Sequence, residues 1–251
     1  MPNATLSEAR KRQGELGQFL TPAPVANFMA SLFGPLPDVV RLLDAGAGAG
    51  ALTAAFVSRL CEKKDGVRAI EATLFELDPF IQDVLSKTMQ DCQHVCAEAG
   101  IRFTFTIHAT NFIHEMSALL AEDLFATTPP AFDAAITNPP YRKISIDSAE
   151  RRALRSVGIE TSNLYTGFIA LIQKVLVPAG QVVGITPRSF CNGPYFRPFR
   201  EDFLSNLELR RLHVFESRNA AFRDDSVLQE NIKTKKRGRE SFLIARSETC
   251  L

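Results

Sequence analysis

Apolar residues recur along this chain in two rhythms. Short runs rich in aliphatic and β-branched residues have the length and composition of strands: "VVRLLD" (39–44), "ATLFEL" (72–77), "RFTFTI" (102–107), "FDAAIT" (132–137) and "QVVGIT" (181–186). "LRRLHVF" (209–215) fits a sixth, and "SFLIA" a last short one. Between them the spacing becomes helical over residues 22–33, 51–61, 79–99, 111–125, 164–177 and 195–206. The strand runs are apolar without clean alternation, as burial on both faces demands. Strands alternating with amphipathic helices predict an α/β, Rossmann-like fold, a mostly parallel sheet with helices on both faces. Ligands on such a sheet bind beyond the carboxyl ends of the strands. The residues that follow the first four runs are therefore the candidates for chemistry.

After the first run comes "LLDAGAGAGALTAAF" (42–56). Gly46, Gly48 and Gly50 permit a tight turn and a close approach of a ligand to the backbone. The spacing is not the dinucleotide fingerprint, and no lysine follows as in a nucleotide-phosphate loop. Asp44 just before the glycines favours a cationic ligand end over a phosphate. At the end of the second run, "FELDP" (75–79) places Glu76 where an acidic side chain accepts the hydroxyls of a ribose. Asp78 is its rival, though it is better placed to cap the helix that begins near Pro79. Asn111 and Phe112 follow the third run. "NPPY" (138–141) follows the fourth, and its prolines, having no N–H to give to a ladder, end that strand abruptly.

Together these features resemble class I S-adenosylmethionine-dependent methyltransferases, and "NPPY" is similar to the catalytic tetrapeptide of those that act on an amino or amide nitrogen. The lone pair of such a nitrogen is delocalised, so two acceptors placed on its hydrogens favour the transition state. The resemblance assigns them to the Asn138 side chain and the Pro139 carbonyl, with Pro140 stiffening the turn and Tyr141 stacking on the base. "GQFLTPAPVANFMASLF" (17–33) resembles the segment of gamma-class DNA adenine-N6 methyltransferases that closes over the methionine end of the cofactor. This implies contacts from Gln18 and Thr21, and Thr21 also stands where it would cap the helix starting at Pro22. "FESRNAAFRDDSVLQENI" (215–232) closely resembles the PstI- and BsuBI-type restriction-modification methylases. There Phe222, with Phe215 as rival, matches an aromatic that stacks on the flipped target base. The family usually has an aspartate where Asn111 stands; an amide carbonyl still accepts a hydrogen bond from the cofactor adenine, without a charge, and Phe112 would stack on that ring.

The resemblance covers about residues 15–232. It divides the chain into an N-terminal extension (1–16), a methyltransferase catalytic domain (17–232) and a basic C-terminal tail (233–251) in place of the expected target-recognition domain. It implies S-adenosylmethionine as cofactor, double-stranded DNA as substrate, and a restriction endonuclease acting on the same site. The missing domain points to a separate recognition subunit, or to a fragment without independent activity. "NPPY" also fits RNA adenine or a protein glutamine amide.

Charge refines this only slightly. The net charge is +1, but residues 188–251 carry 13 Lys/Arg against 9 Asp/Glu, compatible with an anionic polymer partner and equally with a solvated surface. "RKISIDSAERRALRS" (142–156) brings Arg142, Lys143, Arg151, Arg152 and Arg155 beside the tetrapeptide, where they could hold phosphates or simply be solvated. Asn163, near the start of the next helix, is a candidate N-cap. Cys92, His94 and Cys96 in "DCQHVC" have no second ligand pair at zinc spacing and read as helix residues. Five scattered cysteines and a polar N-terminus without an apolar signal core predict a reducing, cytoplasmic setting.

Overall fold

The structure is a computed structural model that describes residues 21–63, 66–121, 130–191, 194–214 and 240–247. Its elements run α1 (Ala23–Ser31), β1 (Val39–Asp44), α2 (Ala51–Lys63), β2 (Ala69–Phe75), α3 (Pro79–Glu98), β3 (Arg102–His108), α4 (Phe112–Ala121), β4 (Phe132–Thr137), α5 (Ala149–Ser156), α6 (Leu164–Val175), β5 (Leu176–Pro187), α7 (Arg197–Asn206), β6 (Leu207–Val214) and β7 (Glu240–Ser247). The described strands form one sheet in the order β3-β2-β1-β4-β5-β7-β6. Every pairing is parallel except those of β7, which runs antiparallel to both β5 and β6.

Alternation along the strands sorts side chains between two cores. Leu42, Ala134 and Val183 face α1, α2 and α3, while Leu43, Ala135 and Val182 face α4, α6 and α7. All six are fully buried, so both faces are covered, as the apolar strand runs predict. Phe56, Leu60, Leu85 and Met89 fill the first core; Ile113, Ile169, Leu171 and Phe203 fill the second. Among the described residues, no helix is long and apolar enough to cross a membrane.

The strand and helix positions agree with the sequence pattern, with informative differences. β2 ends at Phe75, so Glu76 is the first residue beyond the strand. β5 begins at Leu176 instead of 181, because Phe132 pairs with Leu176 while Ala134 pairs with Gln181, a register shift that loops out the residues between. Gly180 belongs to that irregularity; a Cβ there would lie 2.9 Å from the Val177 carbonyl oxygen. α5 has no counterpart in the pattern. Its sequence, AERRALRS, buries only Leu154, so there is no apolar stripe to reveal it. It starts because the Ser148 side chain accepts from Arg151 N at 3.1 Å. Glu240–Ser247, which the pattern places in a basic tail apart from one short strand, lies between β5 and β6 in the same sheet.

Register brings the carboxyl ends together. Asp44 pairs with Leu74, Leu43 with Ala135, and Thr137 with Gly184. The chain segments leaving β1, β2, β4 and β5 therefore emerge side by side along one edge.

Candidate active site

A cleft opens at that edge, lined by residues that follow β1, β2, β3 and β4. One side is the turn after β1, where Ala45, Gly46 and Gly48 form the wall. Ala47 N donates to Phe75 O at 2.9 Å, tying the turn to the end of β2. Gly48 has φ 53° and presents its N–H to Glu76 Oε2 at 2.9 Å. Glu76 Oε1 accepts from Asp78 N at 2.7 Å. Only 2% exposed, yet on the cleft wall, Glu76 thus joins the glycine turn to the start of α3. Asp78 takes the other predicted role, accepting from Phe80 N at 3.0 Å as the N-cap of α3.

Two of the expected turn residues lie behind the wall instead of on it. Gly50 has φ 86°, and a Cβ there would come within 2.9 Å of Met89 Cε and 3.0 Å of Leu85 Cδ1; its role is close packing of α2 on α3. Asp44 is completely buried beneath the turn, with Oδ2 accepting from Thr53 Oγ1 at 2.8 Å. Burial pushes its carboxyl up to about 7, against the Thr53 hydroxyl that favours the anion, with Glu76 pushing it further up. A carboxyl so enclosed anchors the turn and presents no surface to a ligand in the cleft.

The middle of the cleft is an apolar slot between Phe75, Leu77, Ile81, Phe112 and Phe168. Phe112 is 2% exposed, edge-on to Phe75 at 5.1 Å and tilted against Phe168 at 5.0 Å. Leu77, Ile81 and Phe168 were not legible as site residues. Leu77 had one usable signal, its place directly after Glu76; Phe168, inside α6, had none. Asn111 is on the wall, but its Oδ1 accepts from Ile113 N at 2.9 Å and His114 N at 3.4 Å, starting α4. The acceptor expected to face the cofactor adenine is engaged by the helix.

The tetrapeptide also contributes to the cleft lining. Asn138 and Pro140 line it, and Pro139 is buried. Asn138 Nδ2 donates to Thr21 Oγ1 at 3.2 Å, and Tyr141 Oη donates to Asn138 Oδ1 at 2.8 Å, with Ile185 O a second acceptor at 3.3 Å. Thr21 does not cap α1; the N-cap is Pro22, with no side-chain bond to the helix. Nor is Thr21 on the cleft wall. The Tyr141 ring, expected to stack on a base, is half-buried against both cores and edge-on to Tyr165 at 6.3 Å.

Much of the basic run is engaged. Arg142, at the cleft mouth, lies 3.5 Å from Glu150. Arg151 Nε and Arg155 Nε reach the Glu160 carboxylate at 2.9 and 2.6 Å, and Arg152 donates to Asp147 O. These pairs hold α5 against the segment before α6, leaving less charge for phosphates than the composition suggests. Asn163 is the N-cap position of α6, without a side-chain cap bond. Gln18, Phe215 and Phe222 lie outside the described residues.

Comparison with known proteins adds the following. The model of the Eco57I restriction-modification methylase family matches residues 80–222. The chain is 42% identical over 234 residues to the type II methyltransferase M.BsuBI of Bacillus subtilis, which covers 92% of this chain and 45% of that protein. It is 40% identical over 251 residues to M.PstI of Providencia stuartii, covering 99% and 48% respectively. The chain thus spans about half the length of these relatives. Its backbone superposes with TM-score 0.63 and 15% identity on a protein described as a class I S-adenosylmethionine-dependent methyltransferase from Listeria monocytogenes, over 92% of this chain and 61% of that one. The type IIG restriction endonuclease BpuSI superposes with TM-score 0.62 and 16% identity, over 93% and 26%. The fold is that of class I S-adenosylmethionine-dependent methyltransferases.

Proposed function

The chain belongs to the Eco57I restriction-modification methylase family, and from that premise we propose that it transfers a methyl group from S-adenosylmethionine to N6 of an adenine extruded from double-stranded DNA. The observation that carries this reading is that Asn138 and Pro140 line the same cleft as Gly46, Gly48 and Glu76. A nucleophile-positioning amide and a nucleoside-binding wall share one enclosure.

The residues fit the cofactor. Gly46 and Gly48 offer a wall without Cβ atoms, Glu76 offers a buried carboxylate for a diol, and Phe75, Leu77 and Phe112 offer a slot for a purine. Bound there, S-adenosylmethionine supplies a methyl group on a sulfonium, an electrophile that needs no metal. The protein's part is to present the amine. A base-paired adenine hides N6, so the target must leave the duplex. Its two N6 hydrogens then meet Asn138 Oδ1 and the Pro139 carbonyl, whose pull grows as the nitrogen becomes positive. The prolines hold both acceptors in a turn that resists rotation. Phe222 is the candidate aromatic face for the base. The test is transfer of labelled methyl to unmethylated duplex DNA followed by nucleoside analysis. Label in N6-methyladenine is expected; label confined to cytosine, RNA or protein overturns the assignment.

The relatives suggest the wider setting. We assign double-stranded DNA as the macromolecular substrate and, as in restriction-modification pairs, a nuclease that reads the same site. We assign a recognition subunit as a further partner in choosing that site.

A further inference from the structure

Asn138 is gripped from a segment 117 residues away. Its Nδ2 donates to Thr21 Oγ1 at 3.2 Å, while its Oδ1 accepts from Tyr141 Oη at 2.8 Å. Both ends of one amide are thus held by hydroxyls, one from each side of the chain. Thr21 is itself well fixed. Its neighbour Pro22 accepts from Val25 N and Ala26 N at 3.0 Å, starting α1. α1 buries Val25, Ala26, Met29 and Ala30 in the core shared with α2. Beyond the helix, Arg59 Nη2 donates to Phe33 O at 2.7 Å and Gly34 N donates to Gln181 Oε1 at 2.7 Å. A hydroxyl mounted on so firm a base constrains the partner it meets.

We infer that Thr21 is a positioning residue for methyl transfer: by accepting from Asn138 Nδ2 it fixes the plane of the amide and turns Oδ1 toward the amine to be methylated. This rests on the reading of Asn138 as an acceptor for the target amine. It differs from the cofactor contact that the resemblance implies for Thr21, because the side chain is not among the residues lining the cleft and its oxygen accepts from Asn138. A freely rotating amide would present Nδ2, a donor, to the amine in part of its population, and a donor there opposes the reaction. The threonine removes that population before the base arrives, which is preorganisation in the strict sense.

The two roles separate by kinetics. Thr21→Val keeps the shape and removes the hydroxyl; Thr21→Ser keeps the hydroxyl. Positioning predicts that Thr21→Val lowers kcat about tenfold at saturating cofactor, the scale of one net hydrogen bond, with Thr21→Ser restoring it. Cofactor Kd by calorimetry should stay within about twofold of the parent. A second readout needs no turnover. The Asn138 side-chain NH2 signals in a nitrogen-15 spectrum, identified by their loss in Asn138→Ala, should shift and exchange faster with solvent in Thr21→Val alone. Unchanged kcat and unchanged NH2 signals in Thr21→Val overturn the inference. So does a rise in cofactor Kd that accounts for all the lost activity. A parent chain that methylates no DNA overturns the functional reading instead, and the NH2 signals then decide by themselves whether Thr21 holds the amide.

Discussion

The turn after β1 and the tetrapeptide after β4 line one cleft, yet they are held by different kinds of bond. At the turn, fixation comes from backbone and burial. Glu76 accepts from two main-chain N–H groups, Asp44 is fully enclosed, and Gly50 packs under Met89. At the tetrapeptide, the key amide is held by two side-chain hydroxyls, Thr21 and Tyr141. The packed part of the turn, Asp44 and Gly50, is therefore part of the fold's stability, whereas the tip is a fitting held by a few polar contacts at the end of a finished sheet. Changes at the tip should alter reaction rate and leave stability alone. Changes at Asp44 and Gly50 should do the reverse.

The sharpest test of this contrast is Asn138→Ala. Loss of an acceptor that acts in the transition state predicts a fall in methyl transfer of about 10²- to 10³-fold. Cofactor binding and the urea midpoint should be unchanged; a large drop in midpoint would break the contrast at once. Next in size, Gly50→Ala should destabilise by about 2–3 kcal/mol in urea unfolding, because φ 86° strains an L-residue and its methyl meets Met89 and Leu85. Activity per folded molecule should change little.

Asp44 gives the turn a pH signature. Its folded carboxyl titrates near 7 against an ordinary 3.8. Between those values the folded protein keeps a proton that the unfolded chain has released, so this group's contribution is complete below the lower value and is lost as pH rises through the upper one. Asparagine mimics the protonated form and can still accept from Thr53. Asp44→Asn should therefore gain stability over the parent on going from about pH 4 to about pH 8 in urea titrations. An identical pH profile in the two proteins would show that the turn does not hold a buried neutral carboxyl.

The smallest expected effect is at the tip. Tyr141→Phe keeps the ring and removes the donation to Asn138 Oδ1, and should lower kcat about two- to fivefold without moving stability. A gain in kcat would mean that the hydroxyl competes with the target amine for Oδ1.

Much of this architecture could be read along the chain. The strand runs and the glycine turn are local patterns, and local sterics enforce them. Asp78 as a helix cap and Glu76 as a strand-end carboxylate follow from position alone. The charged helix α5 was hidden because it buries a single leucine. The partners of the basic run were not legible, because composition counts arginines without counting the Glu150 and Glu160 carboxylates they meet.

By itself, then, the sequence determined the alternation of elements, the burial of both sheet faces and the kinds of residue set at the strand ends. Those features depend on periodicity and on residues within a few positions of one another. Tertiary structure decided which glycines form the wall and which one packs a helix. It hid Asp44 and drew Asn111 into a helix start. It also brought Thr21 to Asn138 across the sheet. Such roles are set by what surrounds a side chain in three dimensions, and contacts between segments more than a hundred residues apart leave no trace in any local window.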